Sequence, residues 1–173
     1  STLNALQLTP ASYISFLVLY RYYDRRYQAL FGNAFSQGST VQNEQGVYMG
    51  LQLTPIARWK LSIYADLFRF PWLKYGIDAP SGGQEYMAQI DYTPSRNYSA
   101  YLRYKYRQKE KNRTFENDNL LRINSYKQHR IRFQQVYNFS SPFIFKTSLD
   151  GILFDDPIKK LNKGIMISQS IGW

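Results

Sequence analysis

The sequence has no cysteine, so neither a disulfide framework nor a thiolate metal site is available to it. It has one histidine, His129, which excludes a histidine-rich metal centre and leaves one imidazole for acid–base work. It has no long apolar run. The uncharged stretch from Ser1 to Tyr20 is broken by Pro10 and by polar residues. Its apolar core, Phe16 to Tyr20, falls far short of the roughly 18–20 residues a spanning helix needs. Ser1 to Leu8 has neither a basic start nor an apolar centre, so it does not read as a secretory signal; the expectation is a mature chain or a fragment. Acidic residues are scarce as well: 12 against 22 Lys and Arg, for a net charge of +10. That sign suits nucleic acid, anionic lipid or a polyanion pore and does not choose among them.

Aromatic residues are plentiful, with 16 Tyr and 11 Phe in 173 residues. Tyrosine in bulk suits surfaces that are apolar on one side and wet on the other, such as a membrane interface. The mean hydropathy of −0.47 resembles that of a water-soluble protein. A barrel strand alternates lipid-facing with lumen-facing residues, however, so its mean is equally unremarkable.

The strongest internal signal is a repeat. Leu8-Thr9-Pro10, Leu53-Thr54-Pro55 and Tyr92-Thr93-Pro94 each end an alternating segment and precede another, and Ser141-Pro142 takes the same place in a fourth copy. Proline fits turns and is excluded from a paired ladder, which predicts tight turns at these sites. Long polar connections separate them: Asp24 to Gln45, Phe70 to Gly83, Gln108 to Ser125, and Asp155 to Asn162. Short turns at one end and long loops at the other form the outer-membrane barrel pattern.

Between these connections the hydrophobicity has period two. Trp59, Leu61, Ile63, Ala65 and Leu67 oppose Lys60, Ser62, Tyr64 and Asp66; Tyr98, Ala100, Leu102 and Tyr104 oppose Ser99, Tyr101, Arg103 and Lys105. Aromatics gather near the tight turns (Tyr13, Trp59, Tyr92, Tyr98, Phe139, Phe143) and near the long loops (Tyr20, Tyr22, Phe68, Tyr86, Tyr106), as two membrane girdles would. The chain closes on Ile165, Ile167, Ile171 and Trp173 on one face, and Trp173 resembles the terminal aromatic signal read by outer-membrane assembly machinery.

These patterns predict an all-β fold: one antiparallel, up-and-down transmembrane β-barrel segment spanning residues 1–173, of about 8–10 strands, located in a bacterial outer membrane. Nine strands are read: Leu3 to Leu8, Tyr13 to Tyr23, Gly46 to Thr54, Trp59 to Arg69, Gln84 to Thr93, Asn97 to Arg107, Lys127 to Phe139, Phe143 to Phe154, and Lys163 to Trp173. Bacterial single-chain barrels have even strand numbers, and an open edge in lipid leaves unpaired backbone groups. An upstream part of the same protein or a partner chain is therefore expected to close the sheet, as part of a larger barrel. An eight-stranded barrel with a loose N-terminal segment is the other reading.

Several stretches carry a family resemblance. They include Leu19-Tyr20-Arg21-Tyr22-Tyr23, Phe31-Gly32-Asn33-Ala34-Phe35-Ser36, Asn43-Glu44-Gln45-Gly46-Val47-Tyr48, Phe68-Arg69-Phe70-Pro71-Trp72-Leu73 and Lys105-Tyr106-Arg107-Gln108-Lys109. Together they resemble the C-terminal barrel portion of large Bacteroidetes outer-membrane proteins that carry competence-type helix-hairpin-helix repeats. In that family DNA handling is suggested mainly by the repeats, so the resemblance assigns nucleic-acid binding to no residue here.

By parity the lumen face carries Arg21, Lys60, Asp66, Glu85, Asp91, Arg103, Lys105, Arg107, Arg130, Arg132, Lys146 and Asp150. Opposite charges paired across strands would plug a small barrel; in a larger one the same residues would line water. Lys109, Lys111, Arg113, Arg122 and Lys127 flank one long loop, where lipopolysaccharide phosphates are expected. His129 falls on the lipid-facing side with Ile131 and Phe133, and no Ser or Asp pattern around it supports a catalytic relay. No catalytic residue, metal or cofactor is expected. The expected function is a non-enzymatic scaffold or narrow conduit within a larger outer-membrane assembly. The alternatives are a solute or polyanion pore, DNA included, and an outer-membrane enzyme centred on His129. Expected partners are outer-membrane lipid, lipopolysaccharide and, during insertion, the barrel assembly machinery.

Overall fold

The computed structural model describes residues 1–28, 35–115, 118–139, 143–156 and 161–172, with the backbone alone over 113–115 and 118–122. These residues form β1 (Thr2–Ala11), β2 (Ile14–Tyr23), β3 (Glu44–Ile56), β4 (Trp59–Phe70), β5 (Ser81–Ser95), β6 (Tyr98–Phe115), β7 (Asp118–Asn138), β8 (Ile144–Asp155) and β9 (Asn162–Gly172). All nine lie in one antiparallel, up-and-down sheet in chain order, and the described residues include no helix. β1 pairs in unbroken register with β2 from Thr2↔Tyr22 to Leu8↔Phe16, which overturns the reading with a loose N-terminal segment. The sheet is open, because β1 and β9 are its two ends and do not pair with each other.

The tight turns differ from expectation in a consistent way. Pro10, Pro55 and Pro94 do not form the turns; they lie at bulges, where the register breaks between Leu8 and Ala11, Leu53 and Ile56, and Tyr92 and Ser95. Two-residue turns follow, at Ser12-Tyr13, Ala57-Arg58 and Arg96-Asn97. A bulge leaves its extra residue out of the ladder, so a proline there forfeits no hydrogen bond. The threonine before it is used by the neighbouring hairpin: Thr54 N–H donates to the Tyr13 carbonyl and Thr93 N–H to the Arg58 carbonyl, both at 2.8 Å. Arg58 takes a φ of 76°, in the left-handed region. The fourth expected turn, Ser141-Pro142, lies outside the described residues, as does Trp173.

The connection expected over Gln108 to Ser125 is instead a continuation of the hairpin. β6 and β7 stay paired out to Thr114↔Leu121, with a last pair at Phe115↔Asp118. The run is polar but holds neither glycine nor proline, and polarity alone does not stop a strand.

Among the residues whose burial is described, every buried strand residue (Arg21, Tyr23, Glu44, Gly46, Asp66, Phe68, Phe70, Ser81, Glu85 and Asp150) lies on one face, termed the inner face. The outer face is apolar and exposed. One ladder crosses all nine strands as Leu8, Phe16, Leu51, Ile63, Ala88, Tyr104, Ile131, Gly151 and Ile165. The next runs from Ile14 through Leu53, Leu61, Ile90, Leu102, Phe133 and Leu149 to Ile167. Neither ladder contains a charge. Aromatic pairs flank them: Trp59 and Tyr92 at 4.4 Å between ring centroids on the tight-turn side, Tyr86 and Tyr106 at 6.0 Å on the loop side. Phe68, expected in the loop-side girdle, is instead on the inner face and buried, because it is in register with Gly46 and Gly83.

Candidate functional site

The inner face is built around ion pairs that join distant parts of the chain. Arg21 on β2 lies between two carboxylates. Its Nε donates to Glu44 Oε1 at 2.5 Å, and Nη1 and Nη2 donate to Asp66 Oδ1 and Oδ2 at 2.8 and 3.2 Å. All three side chains are withdrawn from solvent. Gly46, directly opposite Arg21, makes room for this: a Cβ there would stand 2.5 Å from the guanidinium carbon. Buried charges hold only when paired and fully hydrogen-bonded, and the β2–β3 connection completes the set. Ser36 Oγ donates to Glu44 at 2.6 Å, the Gln37 and Gly38 amides donate to the same carboxylate, and Gln37 Nε2 donates to Asp66 at 2.8 Å. The segment around Gln37 is thereby tied onto the inner face, where Lys109 Nζ also donates to the Gln37 carbonyl at 3.1 Å.

A second group spans β4 to β8. Glu85 accepts from Tyr64 Oη at 2.6 Å, Lys105 Nζ at 2.8 Å and Arg107 Nε at 2.5 Å. Asp150 accepts from Arg132 Nε at 2.7 Å and Arg130 Nε at 3.2 Å. Lys60 stands 3.9 Å from Asp91, which also accepts from Gln89, and Arg103 donates to Gln89 Oε1 at 2.6 Å.

The register puts all twelve charged residues assigned to the lumen by parity on the inner face. Most are drawn into the two groups above, and Lys146 sits apart near the tight-turn end, opposite Val136 and Ser170. The candidate phosphate-contact residues do not form one surface. Lys109 is committed to Gln37, Lys111 stands 5.6 Å from the Tyr126 ring, Lys127 points to the outer face, and the side chains of Arg113 and Arg122 lie outside the described residues. His129 is on the outer face, with Nδ1 2.8 Å from Tyr104 Oη and its ring 5.0 Å from that of Tyr106. Among the described residues no group of His, Asp or Glu is placed to hold a metal ion.

Sequence reasoning missed Glu44, Ser36 and Gln37, because they fell in a stretch read as a polar connection. The available signal was Gly46: a small residue on the inner face, in register with Arg21, marks a close approach.

At the loop end, Asn43 clamps the β4–β5 connection. Its Nδ2 donates to the Trp72 carbonyl at 2.8 Å, and its Oδ1 accepts from the Trp72 amide at 2.9 Å. Asn43 has a φ of 53°, a conformation asparagine tolerates better than most residues. Lys74 lies over the Phe70 ring at 3.6 Å, and burial there holds its ammonium below the usual lysine range, with Glu44 opposing the shift.

Comparison with protein-family models, curated proteins and solved structures finds no match to this chain.

Proposed function

We propose that the chain is a non-enzymatic β-barrel module of a bacterial outer membrane, acting as a scaffold or narrow conduit within a larger assembly. One observation carries this reading: one uncharged ladder crosses the outer face of all nine strands and a second crosses that of β2 to β9, while the buried charges of the strands lie on the inner face. In water such an arrangement would leave a large apolar patch exposed; against lipid it is the favourable one. Strands such as Trp59–Phe70, with 12 residues, are long enough to cross a bilayer when tilted. The open edges of β1 and β9 call for further strands, from upstream in the same protein or from a partner, because unpaired backbone is costly in hydrocarbon. The similarity to the barrel portion of Bacteroidetes helix-hairpin-helix proteins agrees with this role. The ion pairs centred on Arg21 and Glu85 favour a filled interior over a wide channel.

The second reading is a solute or polyanion pore, favoured by the surplus of cations along β6 and β7. Planar-bilayer recording of the intact natural protein separates the two. Little or no steady conductance is expected for the scaffold, and large, stable single-channel steps would establish the pore. Recovery of the protein in a water-soluble cell fraction would overturn both.

A further inference from the structure

The charges of the inner face are unevenly distributed. Lys105 on β6 faces Arg130 on β7 directly, and one row away Arg103 faces Arg132. Like charges directly opposite across a ladder repel. With Arg107 these make five cations, and Glu85 and Asp150 are the two carboxylates that reach them among the described residues. Those contacts engage the Nε atoms of Arg107 and Arg130, so their terminal Nη donors carry no carboxylate bond among the described residues. On the inner face of these two paired strands lies a cavity of about 150 Å³ lined by Lys105, Arg107, Gln128 and Arg130, with no acidic residue in its wall. At about 30 Å³ per water, that space holds on the order of five waters or one tetrahedral oxyanion. The three cationic side chains are partly exposed, so the site is open to a solute.

We propose that this cavity is an anion site that takes a phosphate-class oxyanion. Two arginines offer planar donor pairs, Lys105 offers a point charge and Gln128 an amide, a donor set matched to phosphate oxygens. The ligand would relieve the Lys105–Arg130 repulsion that the flanking carboxylates leave in place. The inference rests on the inner face alone and holds whether that face fills a scaffold or lines a conduit.

The test is thermal unfolding and ³¹P line broadening of the full-length protein in detergent. It is titrated with inorganic phosphate against chloride at matched ionic strength, and separately with micelles containing phosphatidic acid. Saturable stabilisation by phosphate beyond that by chloride is expected. Arg130→Gln and Lys105→Gln should each weaken it about tenfold, the scale of one charge-assisted hydrogen bond. Gln128→Leu, which removes an uncharged donor from the cavity, should weaken it less, and Arg96→Gln in an exposed turn should leave it unchanged. A response to free phosphate identifies a soluble ligand; a response to the micelles alone, lost in the same variants, identifies a lipid headgroup. Equal effects of phosphate and chloride, or equal losses in Arg96→Gln and Arg130→Gln, would overturn the site. Neither result bears on whether the protein is in the membrane, which the cell fraction reports.

Discussion

Arg21 and Asp66, 45 positions apart, meet as a two-pronged pair on the inner face, with Nη1–Oδ1 at 2.8 Å and Nη2–Oδ2 at 3.2 Å, both out of reach of solvent. Because Arg21 also holds Glu44, its removal strands two buried carboxylates. Arg21→Met is expected to destabilise the fold by about 3–5 kcal/mol, the usual consequence of removing one partner from a buried pair. Arg21→Lys keeps the charge but loses the fork and should fall between. Denaturant unfolding of the refolded protein measures both.

Two glycines mark close approaches with different latitude. At Gly46 an added methyl meets the Arg21 guanidinium, a side-chain group held by Glu44 and Asp66. At Gly83 it meets the backbone carbonyl of Gln108 at 2.7 Å as well as the Phe68 ring. Backbone held by a ladder cannot move aside, so Gly83→Ala is expected to lower the unfolding midpoint more than Gly46→Ala, each within the roughly 1–3 kcal/mol typical of overpacking.

Asn43 separates conformation from contact. Asn43→Gly keeps the positive φ and loses the clamp on Trp72; Asn43→Ala loses the clamp and adds strain. Limited proteolysis of residues 71–80 should accelerate in both variants, and global stability should fall further in Asn43→Ala. Unchanged cleavage in both would show that the clamp does not hold the loop.

Much of the fold was legible in the sequence because period-two patterning survives translation into register: Leu61, Ile63 and Leu67 do share a face opposite Ser62, Tyr64 and Asp66. The misreadings have local causes. Proline excludes itself from ladder bonding, which a bulge satisfies as well as a turn does, so Pro10, Pro55 and Pro94 were placed two residues from the true turns. The polar run after Gln108 lacked a breaker and remained strand. The site was legible as a set of charges on one face, whereas the partners of each charge depend on which strand lies beside which and on how the Gln37 segment folds back. No spacing within one strand encodes that, which is why Glu44 escaped notice.

The two faces of β4 should respond unequally to charge. Ile63→Arg on the outer face is expected to destabilise the protein in a bilayer by about 2–4 kcal/mol, the mid-membrane value for barrel strands, whereas Ser62→Arg on the inner face should change it by much less. Equilibrium unfolding in lipid vesicles compares the two.

The central claim is that the outer face meets lipid. The absence of cysteine from this chain leaves single cysteines placed at positions 61 to 67 as its sole thiols, ready for spin-labelling in membranes. Collision with dissolved oxygen should peak at 61, 63, 65 and 67 and fall at 62, 64 and 66, with a water-soluble nickel complex reaching the outer-face labels least. High access of the nickel complex to 61, 63 and 65 would contradict the account.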